Sequence, residues 1–107
     1  VNVVRAELDG VSGDELLDLT DRLKQRHAPA AVVAGSRADG TATLVLNFDN
    51  SLEARGLNAG AVIKEAAALI GGGGGGRPTM ARAGGKQPER LGEALDKAQE
   101  LISAALS

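Results

Sequence analysis

Gly71 to Gly76 is a run of six glycines, followed before Leu91 by Arg77, Arg82, Lys86 and Arg90 against a single acid, Glu89. These residue types suit phosphate binding. Bare backbone N–H groups form concave anion sites, and guanidinium groups donate paired hydrogen bonds to phosphate oxygens. If ordered, six glycines cost about 3–6 kcal/mol relative to alanine. That is a large share of the roughly 5–15 kcal/mol that holds a small domain together. The run is therefore either a disordered linker or an ordered loop whose backbone approaches something closely. Roughly twenty residues of expected helix follow it, too few to bury a core alone, which places the loop inside one domain. The candidate contacts are Gly72, Gly73, Gly74, Gly75 and Gly76 through the backbone, with Arg77, Arg82 and Lys86 supplying charge. The competing reading is a basic segment that is merely solvated.

Little else in the chain suggests chemistry. His27 is the only histidine and there is no cysteine. At the expected end of a helix, His27 suits the last carbonyls and the helix dipole better than a metal, which needs further ligands. Asp49 beside Asn50 suggests a cation less than an Asx turn leaving a strand. No serine, histidine and acid cluster as a nucleophilic site would, so neither a catalytic residue nor a metal ligand is expected.

The 107 residues carry 12 basic and 14 acidic side chains, a net charge of -2. Val1 to Asn50 is acidic, with five basic and eight acidic residues, whereas Gly71 to Arg90 carries +3. A general polyanion binder is basic throughout, so any nucleic-acid contact is expected to be local to the glycine segment. Phe48 is the only aromatic residue, which weighs against binding single strands by base stacking. The absence of cysteine suits a reducing, cytoplasmic compartment, and no apolar run has the length of a membrane span. A start at Val1, in an expected strand and without methionine, suggests a domain excised from a longer protein.

The elements that must position the glycine segment follow from periodicity. Val4, Ala6 and Leu8 alternate as in a half-buried strand. Ser12-Gly13-Asp14-Glu15 has capping-box spacing and opens a helix with Leu16, Leu19, Thr20 and Leu23 on one face. Pro29 disfavours helical geometry at Ala28, so that helix stops near His27. Ala30 to Ser36 reads as a strand buried on both sides, parallel to the first. Ala38-Asp39-Gly40 signals a hairpin into a strand with Ala42, Leu44, Leu46 and Phe48 inward and Thr41, Thr43, Val45 and Asn47 outward. Asp49 to Gly56 is a connection with a helical turn near Leu52. Asn58 caps a second helix, Ala59 to Ile70, whose stripe is Val62, Ala66, Leu69 and Ile70. Pro88 opens a third helix, whose stripe is Leu91, Leu95, Ala98, Ile102 and Ala105. The expectation is an α/β domain. A mixed sheet of three or more strands is covered by about three helices, in the order β-α-β-β-α-(Gly-rich loop)-α.

Arg55-Gly56-Leu57-Asn58-Ala59-Gly60, then Lys64-Glu65-Ala66, then the glycine run with Arg77-Pro78-Thr79-Met80-Ala81-Arg82-Ala83-Gly84-Gly85-Lys86 form a familiar order. They resemble the DHH-associated domain in the form found at the C-terminus of alanyl-tRNA synthetase, over essentially the whole chain. The resemblance implies one domain, residues 1–107, that binds the outer corner of tRNA(Ala) and helps aminoacylation and editing act on one tRNA. It implies the remainder of a synthetase chain as partner, and dimerisation as a further role, for which the third helix offers its stripe. ATP with Mg and the zinc of the editing domain belong to the parent enzyme elsewhere, with no cofactor in this segment. Related DHH phosphoesterases hold phosphate with a GGGH loop. Arg77 stands in place of that histidine, which favours the synthetase form.

Overall fold

The computed structural model describes residues 1–106. The strands are β1 (Asn2–Asp9), β2 (Ala30–Ala38), β3 (Thr41–Phe48), β4 (Gly72–Arg77) and β5 (Met80–Gly85). The helices are α1 (Gly13–Arg26), α2 (Ala59–Leu69) and α3 (Leu91–Leu106), with short 3-10 segments at Asn50–Arg55 and Pro88–Arg90. The five strands form one mixed sheet in the order β1-β2-β3-β5-β4, with β1 and β2 parallel and the other pairs antiparallel.

The local signals act as expected. Ser12 Oγ accepts from Glu15 N at 3.2 Å while the Glu15 carboxylate accepts from Ser12 N at 3.3 Å, which closes the capping box of α1. Asn58 caps α2 by accepting from Ala61 N at 3.0 Å. Asp39 and Gly40 both have positive φ, 52° and 76°, the backbone of a two-residue hairpin turn matched to strand twist. Asp49 accepts from Ser51 N at 3.0 Å, the Asx turn expected there. His27 is the exposed C-cap of α1, and its N–H donates to the Leu23 carbonyl at 3.0 Å.

The sheet is covered unequally on its two faces. On one face, α2 and α3 pack over Ala31, Val33, Ala42, Leu44, Leu46, Phe48, Ala81 and Ala83, all of them buried. On the other, α1 packs Leu16 on Ala34 and Val45 and lies mainly over β2 and β3, with Ala6 and Leu8 of β1 at its side. Val45 and Asn47, expected to face outward, are buried beneath this helix. Asn47 Nδ2 donates to Thr20 Oγ1 at 3.1 Å and to Asp21 Oδ1 at 2.7 Å, which pins the helix to the sheet. The neighbouring β5 and β4 have no helix over that face.

The segment expected as a glycine loop is a hairpin: β4 is the glycine run itself and β5 is its partner. A strand without side chains has no alternation to read, so only the pairing reveals it. The hairpin tip is tied down by Ala59 N donating to the Pro78 carbonyl at 2.8 Å and Phe48 N donating to the Thr79 carbonyl at 2.7 Å. In α3, Leu91, Leu95, Ala98 and Ile102 are buried as expected and Ala94 joins them, whereas Ala105 is exposed. The buried face of α2 is broader than its predicted stripe, adding Ala59, Gly60, Ile63 and Ala67. It is broader because α2 packs against both the glycine hairpin and α3.

Candidate nucleic-acid interface

Strand register divides the glycines into two sets. Gly74 pairs with Ala83 and Gly76 with Ala81, whereas Gly73 pairs with Gly84 and Gly75 with Arg82. Ala81 and Ala83 belong to the α2 face, so Gly73, Gly75, Arg82 and Gly84 look the other way. Steric demand follows the same alternation. A Cβ built on Gly72 would overlap the Gly84 carbonyl, one on Gly74 the Arg82 carbonyl, and one on Gly76 the Met80 carbonyl. A Cβ on Gly73 or Gly75 would meet nothing within 4 Å. The hairpin therefore requires glycine at alternate positions only. At the other two, the fold of this chain gives no reason for it.

The charges gather on the same open face. Arg77 pairs with Met80 and Arg82 with Gly75, which puts both arginines on the side of Gly73 and Gly84. Lys86, with Thr41, Thr43, Gly71, Gly72, Gly84 and Gly85, lines a shallow cleft of about 400 Å³ at the end of that face. Thr43, Gly73, Arg82, Ala83 and Gly84 line a second depression that adjoins it. Of the predicted contacts, the structure puts Gly73, Gly75, Arg77 and Arg82 on one face of the hairpin, Arg77 at its tip and Lys86 in the cleft at its opposite end. It turns Gly72, Gly74 and Gly76 toward the partner strand and α2. Arg90, the last cation of the basic segment, is drawn off by Glu93, which accepts from its Nη2 at 2.9 Å.

Arg82 Nη1 lies 3.4 Å from Asp14 Oδ1, and Arg82 is 44% exposed. Among the described residues Arg77 and Lys86 make no ion pair and are exposed. Sequence reasoning missed Thr43 and Gly84, which complete the floor of the face. The alternation of β3 already turns Thr43 outward, but the period of two that places Gly84 beside it lies in β5, which the sequence pattern does not predict as a strand. The site is open and flat, suited to a polyanion's backbone rather than to an enclosed small molecule.

The catalytic inventory is brief. Among the described residues no group of three or more His, Cys, Asp or Glu side chains is placed to hold a metal. No buried side-chain polar atom among them lacks a hydrogen-bond partner. No helix among them is long and apolar enough to cross a membrane. Glu7, on β1, is a carboxylate with a shifted pKa. The Arg37 guanidinium hydrogen-bonded to it holds its pKa below the ordinary value, with Arg5 adding to the effect against partial burial. Arg5 also bonds Asp96, so this cluster joins β1 and β2 to α3.

Comparison with known proteins gives one consistent family. The model of the DHHA1 domain matches residues 1–104. Alanine–tRNA ligase of Desulforudis audaxviator is 56% identical over 88 residues, covering 82% of this chain and 10% of that protein. The same ligase of Natranaerobius thermophilus is 41% identical over 105 residues, covering 98% of this chain and 12% of that protein. The chain thus spans about a tenth of the length of these relatives. Among solved structures, the C-Ala domain of Aquifex aeolicus alanyl-tRNA synthetase superposes with a TM-score of 0.83 at 30% identity. That match covers 98% of this chain and 91% of the other. A DHH domain of a ribosomal-protein family member gives a TM-score of 0.59 at 12% identity, a likeness of fold alone. It covers 87% of this chain and 21% of that one. The chain belongs to the DHHA1 domain family, in the C-Ala form carried by alanyl-tRNA synthetases.

Proposed function

We propose that this domain binds tRNA(Ala) through the open face of its glycine hairpin, as the C-terminal part of an alanyl-tRNA synthetase. The observation that carries the reading is the excess of glycine. Gly73 and Gly75 are bare where the chain has room for side chains, and Arg77, Arg82 and Lys86 stand on the same face. A surface kept free of side chains beside exposed cations admits a phosphodiester backbone to close range. The ligase names of the relatives and the C-Ala identity of the Aquifex structure support tRNA as the polyanion. With Phe48 buried and no other aromatic present, recognition is of shape, through phosphates and sugars at the outer corner of the folded molecule.

In this reading the domain positions one tRNA for both charging and editing. The ATP- and Mg-dependent step and the zinc-dependent editing step lie in the remainder of the synthetase. The compartment is then the cytoplasm. Homodimerisation needs a surface other than the α3 stripe, because Leu91, Leu95, Ala98 and Ile102 are buried inside this chain. Titration of transcribed tRNA and of an unstructured RNA of equal length, at one salt concentration, tests the proposal. Folded tRNA is expected to bind much the tighter. Equal affinities would remove shape recognition and with it this function.

A further inference from the structure

The cation closest to the centre of the open face is already engaged within the chain. Arg82 reaches from β5 to the first turn of α1, where its Nη1 lies 3.4 Å from Asp14 Oδ1. The guanidinium rests directly on Gly13, and a Cβ built there would overlap Nη2. Glycine, a poor helix former, thus occupies the first position of α1 where it makes room for the arginine. The first turn itself is held in place. Its capping box is closed, and Asn47 anchors the following turns to the sheet. The Asp14 side chain is 93% exposed. Its carboxylate therefore meets any polyanion arriving at Arg82.

Resting on the tRNA-binding reading above, we propose that Asp14 competes with the incoming phosphate for Arg82 and so limits the affinity of the face. A phosphate that takes Arg82 must break the ion pair and leave Asp14 facing an anion. Arg77 and Lys86, which make no ion pair among the described residues, engage without such a contest. The acid thus lets a correctly shaped ligand bind through several contacts while weakening binding that depends on Arg82 alone. Release of the enzyme's tRNA is faster as a result.

The test is a double-mutant cycle on the 107-residue chain, with transcribed tRNA at a fixed salt concentration. Asp14→Asn is expected to tighten binding about two- to five-fold, the size of one exposed ion pair. Gly13→Ala, which puts a methyl group where the guanidinium rests, should tighten binding in the same direction without altering charge. In an Arg82→Ala background the Asp14→Asn gain should disappear, because no clip remains to release. A gain that persists there reflects bulk charge and overturns the proposal. So does an Asp14→Asn variant that binds no more tightly than wild type while Arg82→Ala is impaired. If Arg82→Ala itself binds as wild type does, the placement of tRNA on this face falls, and the proposal falls with it.

Discussion

Replacing Gly73 and Gly74 one at a time separates what the fold needs from what the ligand needs. At Gly74 a methyl group would overlap the Arg82 carbonyl and lie 2.5 Å from Ala83 Cα, both backbone atoms of the paired strand. Neither atom can swing aside, so β4 must part from β5. Overpacking of this kind costs about 1–3 kcal/mol. At Gly73 the same atom meets nothing within 4 Å, and φ there lies outside the left-handed region. Gly73→Ala removes freedom from the unfolded chain and should stabilise by about 0.4–1 kcal/mol. In a domain of this size 1 kcal/mol moves Tm by roughly 4–8 °C, so the two variants should melt on the order of 10 °C apart. Binding should follow the other order. Gly73→Val keeps the fold but holds a phosphate away from the backbone. Loss of one charge-assisted hydrogen bond, about 1.5–3 kcal/mol, predicts roughly 10- to 100-fold weaker tRNA binding. Differential scanning fluorimetry and filter binding read the two effects separately. Equal melting of the two alanine variants would refute the alternation, and wild-type affinity in Gly73→Val would refute the use of the bare face.

Three further outcomes are expected. Arg77→Ala and Lys86→Ala should each reduce the slope of log affinity against log salt by about 0.7–0.9 in titrations over a salt series. His27→Ala, far from any role in the reading, should leave that slope unchanged. Glu7→Gln should lower stability at pH 7 by no more than about 1 kcal/mol, since the pairs to Arg5 and Arg37 are partly exposed. Because folding depresses the Glu7 pKa, its contribution is present above the unfolded value of about 4.3 and is lost as pH falls through the lower folded value. Wild-type and variant denaturant midpoints should therefore converge in acid. Deleting the domain from its parent synthetase should impair charging and editing while ATP–pyrophosphate exchange continues. Exchange lost in proportion to charging would contradict a role confined to positioning tRNA.

Much of the architecture was legible because it rests on local chemistry. The Ser12–Glu15 box, Asn58, the Asp39-Gly40 turn and the Leu91–Ile102 stripe each state their structure within a few residues. Two features were not. Burial of Val45 and Asn47 depends on where α1 lands, a tertiary fact that alternation alone cannot supply. The glycine strand is invisible in principle, since hydropathy patterns are carried by side chains and Gly72 to Gly76 have none. The candidate site was legible in composition but not in geometry. Which glycines have room for a side chain is set by pairing with Met80–Gly85, and that same register puts Arg77 and Arg82 on one side.

The position of the glycine strand at the end of the sheet bears on how the protein avoids sticking to itself. β4 is the terminal strand, and terminal strands offer main-chain groups to any foreign strand that drifts alongside. Proteins usually deter such pairing with lysine, proline or a bulge. A strand of glycines deters it differently. It has poor intrinsic preference for extended structure and no alternating apolar side chains to interlock in a dry zipper. A visiting strand gains hydrogen bonds but no packing, too little to offset the ordering of its own backbone. The composition that leaves the face bare for a nucleic acid thus also makes the adjoining rim a poor seed for fibrils.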